Sequence, residues 1–385
     1  MKNVVIIESK RTAIGKAYKG SLANTRPDTL GALLLNKMLV KSNIKREDVE
    51  DLIIGCAMPE GEQGMNVAKT IGTLASLPNE VPALTVNRFC ASGLQAINNV
   101  AQAVEVGNIE LGIAGGVESM SMVPMGGYRF SANSSIVDTN IDFYTSMGIT
   151  AENVANKFGI SRAQQDEFAC NSHKKALSAI NNNLFDDEIE PIEVFKYNEH
   201  NKDKFTFSRD DGPRATSVEA LGKLKTSFKK NGSVTAGNAS QMSDGAAFSF
   251  LCSSEYAKKN NLNHLGYFRN FSVVGVPPNI MGIGPIPAIQ SLLRKSNLSI
   301  DDIGLFEINE AFASQAVYCV EQLKINKDIV NVNGGAIAQG HPLGCTGARQ
   351  TATLLHEMRR RKVKYGIVSM CIGGGMGAAA LFEAA

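Results

Sequence analysis

The chain repeats itself. Lys41-Ser42-Asn43-Ile44 returns as Lys295-Ser296-Asn297-Leu298, and Asp48-Val49 as Asp302-Ile303. Ser92-Gly93 is echoed by Thr346-Gly347, and Gly112-Ile113 by Gly366-Ile367. All four pairs share one ungapped offset of 254 residues. Chance does not readily place four islands on one register, so the chain reads as a duplication. The halves are 1–116 with 246–255, and 262–385, around an insertion of 117–245. At about 150 residues per domain, 385 residues accommodate two to three such units.

Each half alternates strand and helix. Leu52 to Gly55, Leu84 to Asn87 and Leu111 to Ala114 read as short buried strands. A helix fills the gap before the last of them. Its apolar residues Leu94, Ile97, Val100, Ala101 and Val104 fall at the spacing of one buried face, and it stops at Gly107. The second half offers strands at Gly304 to Ile308, Ile329 to Asn333 and Tyr365 to Met370, with a helix from about Thr346. This alternation predicts an α/β fold of parallel sheets with helical crossovers, whose ligands sit beyond the strand carboxyl ends. The insertion is more polar. Ser161 and Gln164 make a capping box for a helix to about Ile180. Asn198 to Gly212 reads as loop, and the whole insertion as a covering domain.

Composition excludes several classes. Hydrophobic residues make up 44% and charged ones 20%, so the chain folds. Basic residues number 39 and acidic ones 37, without the excess expected of a nucleic-acid binder. No apolar run approaches the ~18 residues that span a bilayer. Met1 to Gly15 reads as neither signal nor transit peptide, and Phe382-Glu383-Ala384-Ala385 is no peroxisomal address. Seven cysteines are too few for a disulfide scaffold and suit a reducing cytoplasm.

Cys90 stands in Val86-Asn87-Arg88-Phe89-Cys90-Ala91-Ser92-Gly93, where strand turns into helix. Unpaired N–H groups and the helix dipole there favour a thiolate, so a raised reactive fraction is expected; a buried structural cysteine is the plain alternative. His341 lies in Gly340-His341-Pro342-Leu343-Gly344-Cys345-Thr346-Gly347 and is the repeat counterpart of Asn87. A pseudo-twofold would turn both into one crevice, and a Cys–His pair is the minimum for acyl chemistry. His173, His200, His264 and His356 lack such surroundings and read as surface residues. His341 and Cys345 are four apart with no second pair of ligand spacing, so no metal is expected. Cys371 opens Cys371-Ile372-Gly373-Gly374-Gly375-Met376-Gly377, whose backbone N–H groups suit an oxyanion hole. Gly373, Gly375 and Ala378 also fit a dinucleotide fingerprint, but only seven residues follow and no acidic ribose partner can exist. Asn309-Glu310-Ala311-Phe312 follows a strand and either caps a helix or holds a water or histidine. Lys223, Lys225, Lys229 and Lys230 read as a solvated face or as holders of a phosphate-bearing ligand, with Ala236 and Ser240 beside its chain.

Together these blocks resemble the thiolases from Met1 to Ala385. The cysteine block at 86–93, Asn309-Glu310-Ala311-Phe312, Gly340-His341-Pro342-Leu343-Gly344 and the Cys371 block occur in the family's order. The resemblance implies a duplicated fold of two pseudo-symmetric βαβαβαββ halves, a layered α-β-α-β-α core and an inserted loop domain. It implies Cys90 as acyl acceptor, His341 as its activator, Cys371 as acid/base thiol, and Asn309 as holder of a water in the first oxyanion hole. Gly373, with the Cys90 N–H, forms the second. CoA contacts would fall at Lys225, Ala236, Ser240 and Met147. CoA is a substrate, and no cofactor is implied. Partners are CoA and acyl-CoA thioesters, a second copy in a homodimer (a tetramer being the alternative), and in some settings a hydratase–dehydrogenase.

Phe306-Glu307-Ile308 and His341 to Gly347 look like degradative 3-ketoacyl-CoA thiolases. Biosynthetic relatives more often carry Ile and Ala-Ser in place of Leu343 and Cys345-Thr346. Leu224-Lys225-Thr226-Ser227-Phe228 departs from the family's usual Arg and Pro-Ala. The resemblance thus implies thiolysis of 3-ketoacyl-CoA in β-oxidation. A biosynthetic acetoacetyl-CoA thiolase, a decarboxylating condensing enzyme and a non-catalytic CoA-binding protein are the competing readings; Cys371 argues against the third of these four. Two thiols in one pocket also raise an oxidative Cys90–Cys371 lock, if their Cα atoms come within about 6 Å.

Overall fold

The computed structural model describes residues 2–197 and 202–385. In the first half, β1 (Val4–Arg11), β2 (Asp51–Gly55), β3 (Ala83–Val86), β4 (Leu111–Ser119) and β5 (Ser243–Ser253) line up in the order β1-β5-β4-β2-β3. In the second, β6 (Gly266–Gly275), β7 (Leu305–Ile308), β8 (Tyr365–Ile372) and β9 (Met376–Ala384) run β6-β9-β8-β7. Val330 adds a parallel bridge to Phe306 at the fifth position. The two orders coincide, as does strand sense. β4, β2 and β3 are mutually parallel, as are β8, β7 and the Val330 bridge. β5 and β9 pair antiparallel on both sides. Val5 and Ile6 of β1 pair with Tyr267 and Gly266 of β6, joining the halves into one ten-stranded sheet, in which the short Gly15–Lys16 strand pairs with β5 off the main path.

The sheets are therefore mixed, not parallel. The strands joined by helical crossovers toward each end of the sheet run parallel, and β5 and β9, which lie inside it, reverse direction. A second correction concerns Ile329 to Asn333. It is a helical turn, Lys327–Ile329, with the single bridge at Val330, not a strand like its counterpart β3.

The helices make layers. α1 (Pro27–Lys41) and α2 (Val67–Leu74) bury Leu30, Leu34, Leu35 and Ile71 on the outer face of the first sheet, against Leu52, Ile54 and Ile113. α3 (Ser92–Glu105) lies on its other face and buries Leu94, Ile97, Val100, Ala101 and Val104. α4 (Met147–Phe158) and α5 (Arg162–Asn181) belong to the insertion. α6 (Pro285–Ser296) and α7 (Ala313–Gln322) supply Ile289, Leu292 and Val320 to the outer face of the second sheet. α8 (Leu343–Arg361) shares the middle layer with α3 and is buried without a break from Leu343 to Met358. The succession is α-β-α-β-α. Glycines let the central helices touch. A Cβ on Gly93 would lie 2.7 Å from the Gly344 carbonyl oxygen, and one on Gly347 would lie 2.5 Å from the Leu94 nitrogen.

The insertion leaves the first sheet at the end of β4 and returns at β5. Ser161 caps α5 through the Gln164 N–H, and Gln164 Oε1 accepts the Ser161 N–H, as expected. Part of the expected loop over Asn198 to Gly212 is a strand instead: Lys202–Phe207 pairs antiparallel with Ile192–Tyr197. Phe205 and Phe207 fall on alternate positions and pack onto the outer core, reason enough for a strand. Asn198 to Asn201 lie outside the described residues.

No described helix is long and apolar enough to cross a membrane. All seven cysteines are free and buried. Two histidines expected at the surface are buried: His173 is 1% exposed on α5 and His356 4% exposed on α8. His356 Nε2 donates to the Ser9 carbonyl at 3.0 Å, because α8 is enclosed on every side despite its polar sequence. His264 is half-buried, and His200 lies outside the described residues.

Candidate active site

The site gathers at the carboxyl ends of β2, β3, β4, β7 and β8. Cys90 follows β3 in a tight turn, Phe89–Ala91, that leads into α3. Phe89 has φ +44°, a strained value for a bulky residue. Two side chains hold the turn. Asn87 Oδ1 accepts the Phe89 N–H at 2.8 Å. Ser92 Oγ accepts the Arg88 N–H at 2.9 Å and donates to the Phe89 carbonyl at 2.7 Å.

The helix terminus does not activate the resting thiol as the sequence suggested. Burial pushes Cys90 up to about 12, against the opposing pull of the Gly373 and Cys90 N–H groups. Glu118 adds a further upward push. In a site 8% exposed, loss of water outweighs the dipole. The thiol is protonated at neutral pH and needs a base.

His341 precedes α8. Its N–H donates to the Gln241 carbonyl at 3.0 Å and to Ser243 Oγ at 3.2 Å. Its Nδ1 meets Thr346 Oγ1 at 2.6 Å, and its Nε2 meets Asn309 Nδ2 at 3.3 Å. Burial, with Arg349 nearby, lowers the imidazole to about 3, so it is neutral at pH 7. Asn309 is fully buried, and its Oδ1 has no partner among the described residues. Cys371 is fully buried among Met147, Ala239, Met281, Ala311 and Phe312. Burial raises its pKa, and Cys90 raises it further. Beside the thiols, an ideal Cβ on Gly373 would sit 3.5 Å from Met147 Sδ.

Cys90, His341, Met147, Ala236 and Ser240 line one cavity of about 630 Å³. Phe228, Phe312 and the methionines 120, 125, 242 and 281 complete an apolar wall. Asn309, Cys371 and Gly373 stand behind it. Lys225 is exposed and does not line the cavity, and Lys223, Lys229 and Lys230 are exposed too.

Two residues escaped the sequence reading. Glu118, 1% exposed, accepts the N–H groups of Gly344 (2.7 Å), Ala57 (2.8 Å) and Met58 (3.3 Å) and the Gln63 amide (2.6 Å). It ties the start of α8 to the end of β2, one half to the other. Its signal was present: a lone carboxylate ending the apolar run Leu111 to Val117. Thr346 is the other. In sequence it marks the repeat, a helix start and the subfamily motif, none of which assigns it a contact with His341. Among the described residues, no group of three or more His, Cys, Asp or Glu is arranged to hold a metal.

The arrangement offers a buried thiol, a neutral imidazole, a second thiol and inward backbone N–H groups around an apolar cavity. That is equipment for acyl transfer through a thioester. Residues 4–255 match the family described as Thiolase, N-terminal domain, and residues 262–384 match Thiolase, C-terminal domain. The chain belongs to the thiolase family. It is 51% identical to the 3-ketoacyl-CoA thiolase of Bacillus subtilis (strain 168), with the whole of both chains covered. The dimeric peroxisomal thiolase of Saccharomyces cerevisiae superposes with a TM-score of 0.92 at 41% identity, covering 100% of this chain and 98% of that one. The Bacillus anthracis acetyl-CoA acetyltransferase gives 0.91 at 40% identity, over 100% and 99%.

Proposed function

We infer that the protein is an acetyl-CoA C-acyltransferase. It cleaves a 3-ketoacyl-CoA with CoA to acetyl-CoA and an acyl-CoA two carbons shorter, as in fatty-acid β-oxidation. The observation that carries this reading is the convergence of Cys90 and His341 on one apolar cavity with Cys371 behind its wall.

Neutral His341 takes the Cys90 proton at Nε2, and the thiolate adds to the substrate's C3 carbonyl. The C2–C3 bond breaks. Its electron pair leaves as the enolate of acetyl-CoA, whose oxygen is held by the His341 Nε2–H and a water on Asn309. A donor of this kind is worth roughly 10²–10³ in rate. Cys371 protonates C2 and becomes a thiolate, and the acyl group stays on Cys90. CoA then gives its thiol proton to Cys371 and attacks the acyl thioester. The Gly373 and Cys90 N–H groups hold the oxyanion. Cys90 leaves as thiolate and recovers its proton from His341. No step draws on a metal or cofactor, and CoA serves as substrate.

Met147, Ala236 and Ser240 flank the thioester chain. The exposed Lys225 serves the CoA phosphates from outside the cavity lining. The 1–116 with 246–255 and 262–385 halves carry the chemistry, and 117–245 covers it. β3 ends the sheet, and its outer edge has no partner strand among the described residues; with Leu84 46% exposed, that edge suits pairing with a second copy. The yeast relative's dimer supports a homodimer. The seven free thiols suit a reducing cytoplasm.

Likeness to the acetyl-CoA acetyltransferase supports a second reading, biosynthetic condensation to acetoacetyl-CoA. The large methionine-walled cavity favours longer acyl chains, since methionine adapts to varied apolar shapes. Thiolysis rates on 3-ketoacyl-CoA of four to sixteen carbons separate the two: activity confined to four carbons supports the biosynthetic reading. Cys371→Ala tests the acid/base assignment. Thiolysis should be all but lost, and a near-native rate would remove Cys371 from the mechanism.

A further inference from the structure

The repeat register sets Asn87-Arg88-Phe89-Cys90-Ala91-Ser92 on His341-Pro342-Leu343-Gly344-Cys345-Thr346. The hydroxyl at the last position is used differently in the two halves. Ser92 Oγ accepts the Arg88 N–H at 2.9 Å and donates its one proton to the Phe89 carbonyl. Thr346 donates its proton to the Pro342 carbonyl at 2.9 Å. The counterpart of Arg88 is Pro342, which has no N–H to give. The acceptor lone pair that Ser92 gives to the backbone is therefore free on Thr346, and His341 Nδ1 takes it at 2.6 Å.

This fixes the ring chemistry. The Thr346 proton is committed to Pro342, so Nδ1 must carry a hydrogen and donate it. Nε2 is left with its lone pair, where Asn309 Nδ2 donates at 3.3 Å. Thr346 and Asn309 are fully buried and His341 is 5% exposed, so little water competes for these positions.

We propose that Thr346 and Pro342 form a positioning pair that holds His341 in its Nδ1–H tautomer, leaving Nε2 as the base toward Cys90. Thr346 touches no substrate; it acts through the imidazole. Pro342 acts by the hydrogen-bond donor it lacks. The first half shows what the motif does without that loss: Asn87 stands in the histidine's place, and the hydroxyl only ties the turn. The proposal rests on the thiolysis reading for its rate consequences, but the tautomer does not.

The test separates the two. Imidazole ¹⁵N spectra of the full-length enzyme, with His341 assigned by difference against His341→Asn, read the tautomer without substrate. The parent should show a protonated Nδ1 and an unprotonated Nε2. Thr346→Val should move His341 toward the other tautomer or a mixture. It should lower kcat by roughly 10–100-fold, as losing the outer hydrogen bond of a functional imidazole does, with KM for CoA within about twofold. Thr346→Ser should restore both. Pro342→Ala returns an N–H that competes for the hydroxyl and should shift the spectrum part of the way, even if the valine variant fails to fold. An unchanged spectrum in Thr346→Val or Pro342→Ala overturns the proposal, whatever happens to stability. A shifted spectrum with an unchanged kcat leaves the tautomer clamp standing and removes His341 as the base.

Discussion

Replacing Glu118 by alanine would leave the Gly344, Ala57 and Met58 N–H groups and the Gln63 amide without their shared acceptor. Ala57, Gln63 and Gly344 are buried, so water reaches them poorly. An unsatisfied buried donor costs about 1–3 kcal/mol, so three cost at least about 3 kcal/mol. That is a large part of the ~5–15 kcal/mol that holds a typical domain together. Partial flooding of the void should bring the observed loss to roughly 4 kcal/mol. Denaturant unfolding followed by circular dichroism measures it, repeated at several protein concentrations so that subunit dissociation is separated from unfolding. A loss below about 1 kcal/mol would refute the idea that Glu118 clamps the halves. Glu118→Gln keeps the volume and removes the charge. Because that charge helps hold Cys90 protonated, the folded variant should react faster with iodoacetamide at Cys90 at pH 8. An unchanged or slower rate, with the site identified by peptide mass, would refute the electrostatic half of the argument.

Glu307 is fully buried with no partner for Oε2 among the described residues, and burial raises it to about 8 against the pull of Arg349. The folded state keeps a proton that the unfolded state releases above about 4.5, so this group makes stability fall as pH rises from about 4.5 to 8. The slope is about 1.4 kcal/mol per pH unit. Glu307→Gln should flatten the pH–stability curve there, and curves that run parallel to the parent's would contradict the assignment. Gly93→Ala puts a Cβ 2.7 Å from the Gly344 oxygen and 3.0 Å from the Ala348 nitrogen. It should cost about 1–3 kcal/mol by unfolding and slow thiolysis, since Cys90 and His341 ride on the helices it separates. A variant as stable and active as the parent would show that this contact is slack.

Much of this was legible because the repeat is register-true. Its islands fall on matching places: Gly112 and Gly366 near the starts of β4 and β8, Asp48 and Asp302 at equivalent helical turns, Ser92 and Thr346 in α3 and α8. The same register brought Cys90 and His341 toward one crevice. What it could not give was direction. β5 and β9 read as apolar runs whether parallel or antiparallel, and Val330 has too short a segment to form the strand its counterpart forms. Burial was hidden where helices are enclosed on all sides. α8 carries Thr346, Arg349, Gln350, Thr351, Thr353 and His356 in its buried stretch, a polar pattern that looks solvated. The Cys90 thiol meets the same limit. Its helix terminus is visible in sequence, but the loss of water that outweighs the dipole is a property of the packed site. Lys225 shows the opposite limit: its exposure fits a solvated face and a phosphate contact equally.

The acyl-enzyme is the most direct test. The protein, mixed with 3-ketodecanoyl-CoA and no CoA, should gain an octanoyl group on Cys90 and release one acetyl-CoA per site. Peptide mass mapping would locate the group, and added CoA should remove it as octanoyl-CoA. An octanoyl group on any other residue, or octanoyl-CoA formed by a Cys90→Ala variant at the parent's rate, would contradict the account.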